Sequence, residues 1–214
     1  MNTARSAKLV IFLKAPRLGT VKTRLAASLG HAAALSAYKK ITERLFKNLR
    51  RLPGVQIRFS PDDAEPEVRE WLGNGFDFQP QGSGDLGERL YRAFEETFSA
   101  GNERVVVIGS DCPYVTKNDV RAAFDCLETH DAVLGPANDG GYWLIGLRAR
   151  QPALFKNIKW STESVLKETL SRAGKTKLNV HLLRTLDDID TAEDWERFLA
   201  FERENGTSNS STFF

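Results

Sequence analysis

An α/β fold built on a mostly parallel sheet is predicted by the rhythm of this 214-residue chain. Short runs rich in Val and Ile, "KLVIFL" (8–13), "VQIRFS" (55–60), "RVVVIGS" (104–110) and "DAVLGPA" (131–137), alternate with longer stretches of helical pattern. Apolar runs of that length suit buried strands, and strands separated by helices pair in parallel. Ligands of such sheets gather beyond the carboxyl ends of the strands, so the loops that follow strands are the places to look for function.

The helices follow from spacing. Leu35, Tyr38, Ile41, Leu45, Leu49 and Leu52 recur at threes and fours, which predicts a helix over about 31–52 that Pro53-Gly54 stops. Leu86, Leu90, Ala93, Phe94 and Phe98 predict a second over 86–99, and Val120, Ala123, Phe124 and Leu127 a third over 117–129. After residue 140, "YWLIGLR" predicts a strand, "STESVLKETLSRAG" a helix, "NVHLLR" a strand and "TAEDWERFLAFERE" a last helix.

Length and 41% hydrophobic content suit one well-buried core, so residues 1–205 are expected to form a single domain, and the polar "GTSNSSTFF" (206–214) a disordered tail. Lys and Arg number 30 against 28 Asp and Glu, and a net charge of +2 gives no general attraction to nucleic acid or membranes. No apolar segment approaches the ~20 residues a bilayer span needs. Cys112 and Cys126 form neither a disulfide framework nor a zinc motif, and with no signal-peptide core the expected compartment is the cytoplasm. The oligomeric state is not legible.

"FLKAPRLGTVKTRL" (12–25) follows the first strand. A P-loop would need glycine where Pro16 and Val21 precede Lys22-Thr23, so this is a different loop. It still gathers Lys14, Arg17, Lys22 and Arg24 around Gly19, and the helix that follows offers free N–H groups; a phosphate site and a solvated basic loop both fit.

Two carboxylates stand out. Asp111 ends the apolar run "VVVIGSD" just before Cys112-Pro113 turns the chain, and Asp190 lies in "LDDIDTAEDW". Glu193 and Asp194 suit the first turn of a helix, where acidic side chains complement the dipole. Asp111 and Asp190 together suit a hard divalent cation, since Mg²⁺ takes one or two protein carboxylates and completes its shell with phosphates and water.

Two glycine-bearing segments complete the candidates. "QGSGDLGERL" (81–90) opens a helix; Asp85 serves equally as its cap or as a ligand contact, while Gly87 allows close approach and Arg89 can meet a base, ribose or phosphate. In "GPANDGGYWLIGL" (135–147), Asp139-Gly140-Gly141 is a hairpin signal that also lets Asp139 face a sugar or another polyol. Trp143 and Trp195 suit the core, whereas Trp160 in "KWSTESV" sits in a loop able to close over an acceptor. Cys112 suits packing, and His31, His130 and His181 share no metal spacing.

Taken in order, "KAPRLGTVKTRL", "GDLGERL", "GSDCP", "GPANDGGYWLIGL", "WSTESV" and "DIDTAEDW" resemble the DUF2064 group, also described as radical-SAM/selenodomain-associated transferases. The resemblance spans nearly residues 8–200 and extends to MobA-like nucleotidyltransferases and CofC-type guanylyltransferases. It implies a Rossmann-like GT-A fold with helices on both faces of the sheet, binding a nucleotide or nucleotide sugar with Mg²⁺ or Mn²⁺ and transferring to a small-molecule acceptor.

Position by position, it implies that Lys14, Arg17, Gly19, Lys22, Thr23 and Arg24 surround the phosphates, and that Asp85, Leu86, Gly87 and Arg89 approach base or ribose. Asp111 and Asp190 would ligate the metal, and Asp139, Gly140, Gly141 and Trp160 would line the substrate pocket. Lys22, Asp111 and Asp190 are the expected catalytic residues. The first loop lacks the Gly-Gly signature of MobA-like enzymes, and "SDCP" carries one carboxylate where many GT-A glycosyltransferases have Asp-x-Asp. The expected activity is metal-dependent transfer from a nucleotide sugar. The alternatives are coupling of a nucleoside triphosphate to a phosphorylated acceptor with loss of pyrophosphate, and nucleotide binding without turnover.

Overall fold

The computed structural model describes residues 6–207. Strand β1 (Ala7–Lys14) leads through the basic loop into α1 (Thr23–Leu29) and α2 (His31–Leu49). Next come β2 (Val55–Ser60), α3 (Glu65–Leu72), β3 (Asp77–Pro80), α4 (Leu86–Ser99), β4 (Arg104–Gly109) and α5 (Lys117–Cys126). The hairpin strands β5 (Ala132–Pro136) and β6 (Tyr142–Leu147), a short 3-10 turn at Pro152–Leu154, α6 (Val165–Lys175), β7 (Val180–Leu182) and α7 (Ala192–Thr207) complete the chain.

The strands form one seven-stranded sheet in the order β3-β2-β1-β4-β6-β5-β7. Only β6 runs against its neighbours, β4 and β5; the other pairings are parallel. The sheet is therefore mostly parallel, as the strand–helix alternation predicts, with the one reversal supplied by the Asp139-Gly140 hairpin.

Alternation along β1 shows why both faces are covered. Leu9 and Ile11 join Val106 and Ile108 of β4 against Leu45 and Leu49 of α2, Val120 and Ala123 of α5, and Leu127 just beyond that helix. Their neighbours Val10 and Phe12 point the other way, with Val105 and Val107, onto Leu90, Ala93 and Phe94 of α4 and Ala173 of α6. A strand whose odd and even residues are both apolar has no face left for water, and helices must lie on each side.

Three elements escape the sequence pattern. Helix α1 is only seven residues long, α3 carries a proline in its first turn, and β3 has four residues ending in Pro80. Such short pieces show too few periods to be read. Helix α2 stops at Leu49, before the expected 52, because Arg50 leaves the helical conformation (φ -52°, ψ 142°) and Arg51 follows it at positive φ (69°). The α7 helix reaches Thr207, so most of the tail expected at 206–214 lies outside the described residues. Among the described residues, no helix is long and apolar enough to cross a membrane.

Candidate active site

β1 and β4 lie side by side at the centre of the sheet, and the segments leaving their carboxyl ends part company: the basic loop from β1, Ser110-Asp111 from β4. Such a divergence opens a crevice. The cleft here measures about 730 Å³, within the range of small-molecule sites. Lys14, Lys22, Thr23 and Arg24 line it from β1, the first loop and α1, Gln81 from just beyond β3, and Asp85, Leu86 and Arg89 from the start of α4. Ser110, Asp111, Trp160, Ser161 and Asp190 complete the wall.

Lys22 is the centre of this arrangement. Its Nζ stands 2.8 Å from Asp111 Oδ1 and 3.0 Å from Asp190 Oδ1, and its side chain is only 3% exposed. The residue holds the N-cap position of α1 in the left-handed region (φ 49°, ψ 48°) and makes no side-chain cap. For a non-glycine residue that conformation costs on the order of 1 kcal/mol, and it aims the side chain across the cleft. Burial alone would favour the neutral amine, but the two carboxylates outweigh it and hold Lys22 firmly as an ammonium.

Each carboxylate is delivered by a buried anchor. The Ile189 N–H donates to the Asp111 carbonyl at 3.2 Å, and its side chain packs with Ile41 and Phe198 under α7. Asp188 and Asp190 flank this anchor. The Asp194 carboxylate accepts from the N–H groups of Asp190 (3.1 Å) and Thr191 (2.8 Å), so it is the cap of α7 that its position suggested. Asp188 has no counterpart among the sequence candidates. Burial and the nearby Asp111 push its carboxyl up to about 7. Its signal was present in "DID": two acids one residue apart straddling a core isoleucine.

A divalent cation fits this chemistry. Asp111 and Asp190 are 48% and 38% exposed, so hard oxygens face the cleft. Among the described residues no group of three or more His, Cys, Asp or Glu converges as a metal cage. Two carboxylates without imidazole or thiolate suit Mg²⁺ or Mn²⁺ completed by phosphate oxygens, and argue against a structural zinc.

The opposite wall is equally fixed. The buried Tyr38 hydroxyl donates to the Lys14 carbonyl (2.8 Å) and accepts from the Lys14 N–H (3.0 Å), which pins the start of the basic loop. Asp85 and Glu88 form a reciprocal capping box on α4. Arg89 Nε donates to the Gly84 carbonyl at 2.9 Å, while its Nη1 makes only long contacts to Ser60 and Gln81, 3.4 and 3.5 Å. Leu86, which the helix pattern also counts with the apolar face of α4, is 42% exposed and lines the rim of the cleft, because it begins the helix there.

Similar sequences and a similar fold are found among known proteins. The family described as "Uncharacterized protein conserved in bacteria (DUF2064)" matches residues 45–162. The chain belongs to the DUF2064 family. The matched stretch contains Arg89, Asp111, the hairpin and Trp160, and stops short of Lys22 and Asp190.

A phosphoenolpyruvate guanylyltransferase of Chloroflexus aggregans is 27% identical over 195 residues, covering 87% of this DUF2064 chain and 95% of its own length. A 2-phospho-L-lactate guanylyltransferase of Methanocaldococcus infernus is 24% identical over 181 residues, 83% of this chain and 78% of that one. The crystal structure of a "putative nucleotide-diphospho-sugar transferase" from Desulfovibrio desulfuricans G20 superposes with a TM-score of 0.87 at 33% identity, over 93% of this chain and 88% of that one. These similarities make the DUF2064 chain an enzyme of the transferase class, and binding without turnover falls away.

Several expected residues do not line the cleft of this DUF2064 protein. Arg17 turns outward, its Nη2 2.7 Å from Glu67 Oε1 and 3.2 Å from Asp63 Oδ1, and these ion pairs occupy the guanidinium. Gly19 forms a turn at φ 77°. Asp139 accepts from the Gly141 N–H at 2.8 Å, a local turn contact, while Gly140 (φ 86°) lies so close beneath the Glu163 carbonyl that a Cβ would stand 2.1 Å from its oxygen. Gly87 lies beneath the Trp160 indole instead of facing the cleft itself. Cys112 packs in the core, where burial pushes its thiol far up.

Proposed function

We propose that this protein is a metal-dependent nucleotidyltransferase that couples a nucleoside triphosphate to the phosphate of a small phosphorylated acid and releases pyrophosphate. The observation that carries the reading is the Lys22 ammonium between Asp111 and Asp190, in a nucleotide-sized cleft whose other cations are Lys14, Arg24 and Arg89. The two guanylyltransferase relatives support the same chemistry, and their names point to a guanine nucleotide and a three-carbon phosphorylated acid.

In this reading an oxygen of the acceptor phosphate attacks the α-phosphorus of the donor. The bond from that phosphorus to the oxygen bridging to the β-phosphate breaks, and pyrophosphate leaves. The acceptor oxygen is already anionic, so no general base is required. Lys14, Lys22 and Arg24 offset the negative charge that shifts onto the leaving phosphates. Asp111 and Asp190 would hold Mg²⁺ or Mn²⁺, which withdraws charge from phosphate oxygens. Arg89 and the start of α4 receive the base or ribose, and Trp160 with Ser161 faces the acceptor.

A second reading, glycosyl transfer from a nucleotide sugar, draws support from the Desulfovibrio protein, which is named as a nucleotide-diphospho-sugar transferase. The single acid of "SDCP", with its partner Asp190 supplied from a distant segment, favours the nucleotidyl reading.

Phosphorus NMR of the purified protein with Mg²⁺ or Mn²⁺ separates them. Pyrophosphate that forms only with both a triphosphate and phosphoenolpyruvate or phospholactate supports nucleotidyl transfer, and Asp111→Asn should slow it by about 100-fold or more while circular dichroism stays unchanged. A nucleoside diphosphate released from a nucleotide sugar, with no pyrophosphate from any triphosphate, would overturn it.

A further inference from the structure

We infer that Lys22 is the resting counter-ion of the carboxylate pair: its ammonium holds the two oxygens a divalent cation needs, and gives them up only when a polyphosphate arrives to receive it. This rests on the reading of Asp111 and Asp190 as cation ligands given above.

Both ion pairs use the Oδ1 atoms, at 2.8 and 3.0 Å from one Nζ. A divalent cation held by the same two oxygens would have to compete with the ammonium for them. Lys22 and the cation therefore exclude one another there. A cation added beside Lys22 would set three positive charges against two carboxylates within a few ångströms, an arrangement that becomes favourable only with further negative charge.

The resting pair also answers a need of the empty cleft. Two facing carboxylates without a cation would repel, and Asp188 stands behind them. Lys22 removes that repulsion from within the chain. Arg24 does not replace it, because its side chain is 75% exposed and reaches only Asp190 Oδ2, at 3.6 Å.

The backbone supplies the second state. Lys22 is held at φ 49°, ψ 48°, where a non-glycine residue is strained, and the ion pairs offset that strain. Once the carboxylates are taken by a cation, the same side chain is released at the mouth of α1, beside Lys14 and Arg24, where donor phosphates would lie. Cation and triphosphate then bind cooperatively, each favouring the state the other needs.

The test is Mn²⁺ binding to the full chain without nucleotide, followed by electron paramagnetic resonance of the free ion, in wild type and in Lys22→Met. Removal of the competing ammonium should tighten Mn²⁺ binding about tenfold or more. A variant that binds Mn²⁺ no better than wild type overturns the inference and leaves the cation site standing. Absence of Mn²⁺ binding from both proteins overturns the cation-site reading itself.

Should Lys22→Met fail to fold, ¹⁵N spectra of the wild-type lysine ammonium groups decide the matter. The slowly exchanging signal of the buried Lys22 should disappear when Mg²⁺ and inorganic tripolyphosphate are added together, and persist with Mg²⁺ alone. Persistence with both present overturns the inference. None of these readouts requires turnover, so a wrong choice of acceptor or reaction does not affect them.

Discussion

The indole of Trp160 fills the space that a side chain at Gly87 would need: a Cβ there would stand 2.2 Å from Trp160 Nε1. One contact thus joins the start of α4 to the loop before α6. Gly87→Ala gains up to about 1 kcal/mol of helix propensity yet drives the indole from its seat. The expected result is an altered tryptophan emission spectrum and donor binding weakened about tenfold, with the melting temperature preserved. In a Trp160→Phe background the emission change should vanish, which fluorescence and calorimetric titration will check.

Arg17 and Arg89 should separate cleanly. Arg17 is engaged by Glu67 and Asp63 on the surface, whereas Arg89 lines the cleft with part of its guanidinium weakly bonded. Arg89→Ala should raise the donor dissociation constant about tenfold or more, and Arg17→Ala by less than about threefold. An equal effect of the two would return Arg17 to the phosphate site.

Tyr38 satisfies both backbone groups of Lys14 with one hydroxyl. Tyr38→Phe leaves that N–H and carbonyl without their partner and should cost about 1–3 kcal/mol in denaturant unfolding. Because Lys14 opens the basic loop, donor binding should weaken as well.

The stability of the α5 corner should depend on acid. Asp119 accepts from Arg184 Nε and Nη2, both at 2.7 Å, and from the Thr116 N–H at 2.8 Å. Burial alone would raise its pKa, but the bonds from Arg184 and Thr116 outweigh burial and hold it below its ordinary 3.8. A depressed carboxylate stabilises the fold above its ordinary pKa and loses that contribution as pH falls through the folded value. Asp119→Asn should therefore be less stable than wild type by about 1–2 kcal/mol near neutrality. The gap should close below pH 3.8, as followed by urea unfolding across pH.

Much of the fold was legible because it rests on local periodicity. The strand Val55–Ser60 and the helix Leu86–Ser99 lie where their patterns put them, since each has enough residues to show its period and clear stops at both ends. Helix α3 and strand β3 escaped because eight and four residues, each with a proline, show only about two periods of their patterns. The same limit applied to the site. Lys22, Asp111 and Asp190 could be chosen by residue type and by their places after strands or before a helix, but Arg17 ranks with Lys22 among the expected phosphate-binding cations, and the positions of Asp63 and Glu67 are what turn it away.

Sequence by itself determined the longer helices, most of the strands and the apolar faces they bury, because hydrophobic alternation and helix stops are short-range properties. It also determined that acids and bases crowd the ends of strands. Only the tertiary structure decided that Lys22 and Asp190, 168 residues apart, share one hydrogen bond, and that Asp188 is drawn in behind them. Those distances depend on β1 lying beside β4 and on Ile189 docking against the Asp111 carbonyl. Charge interactions take their strength from separation and burial, and the packing of the whole sheet sets both.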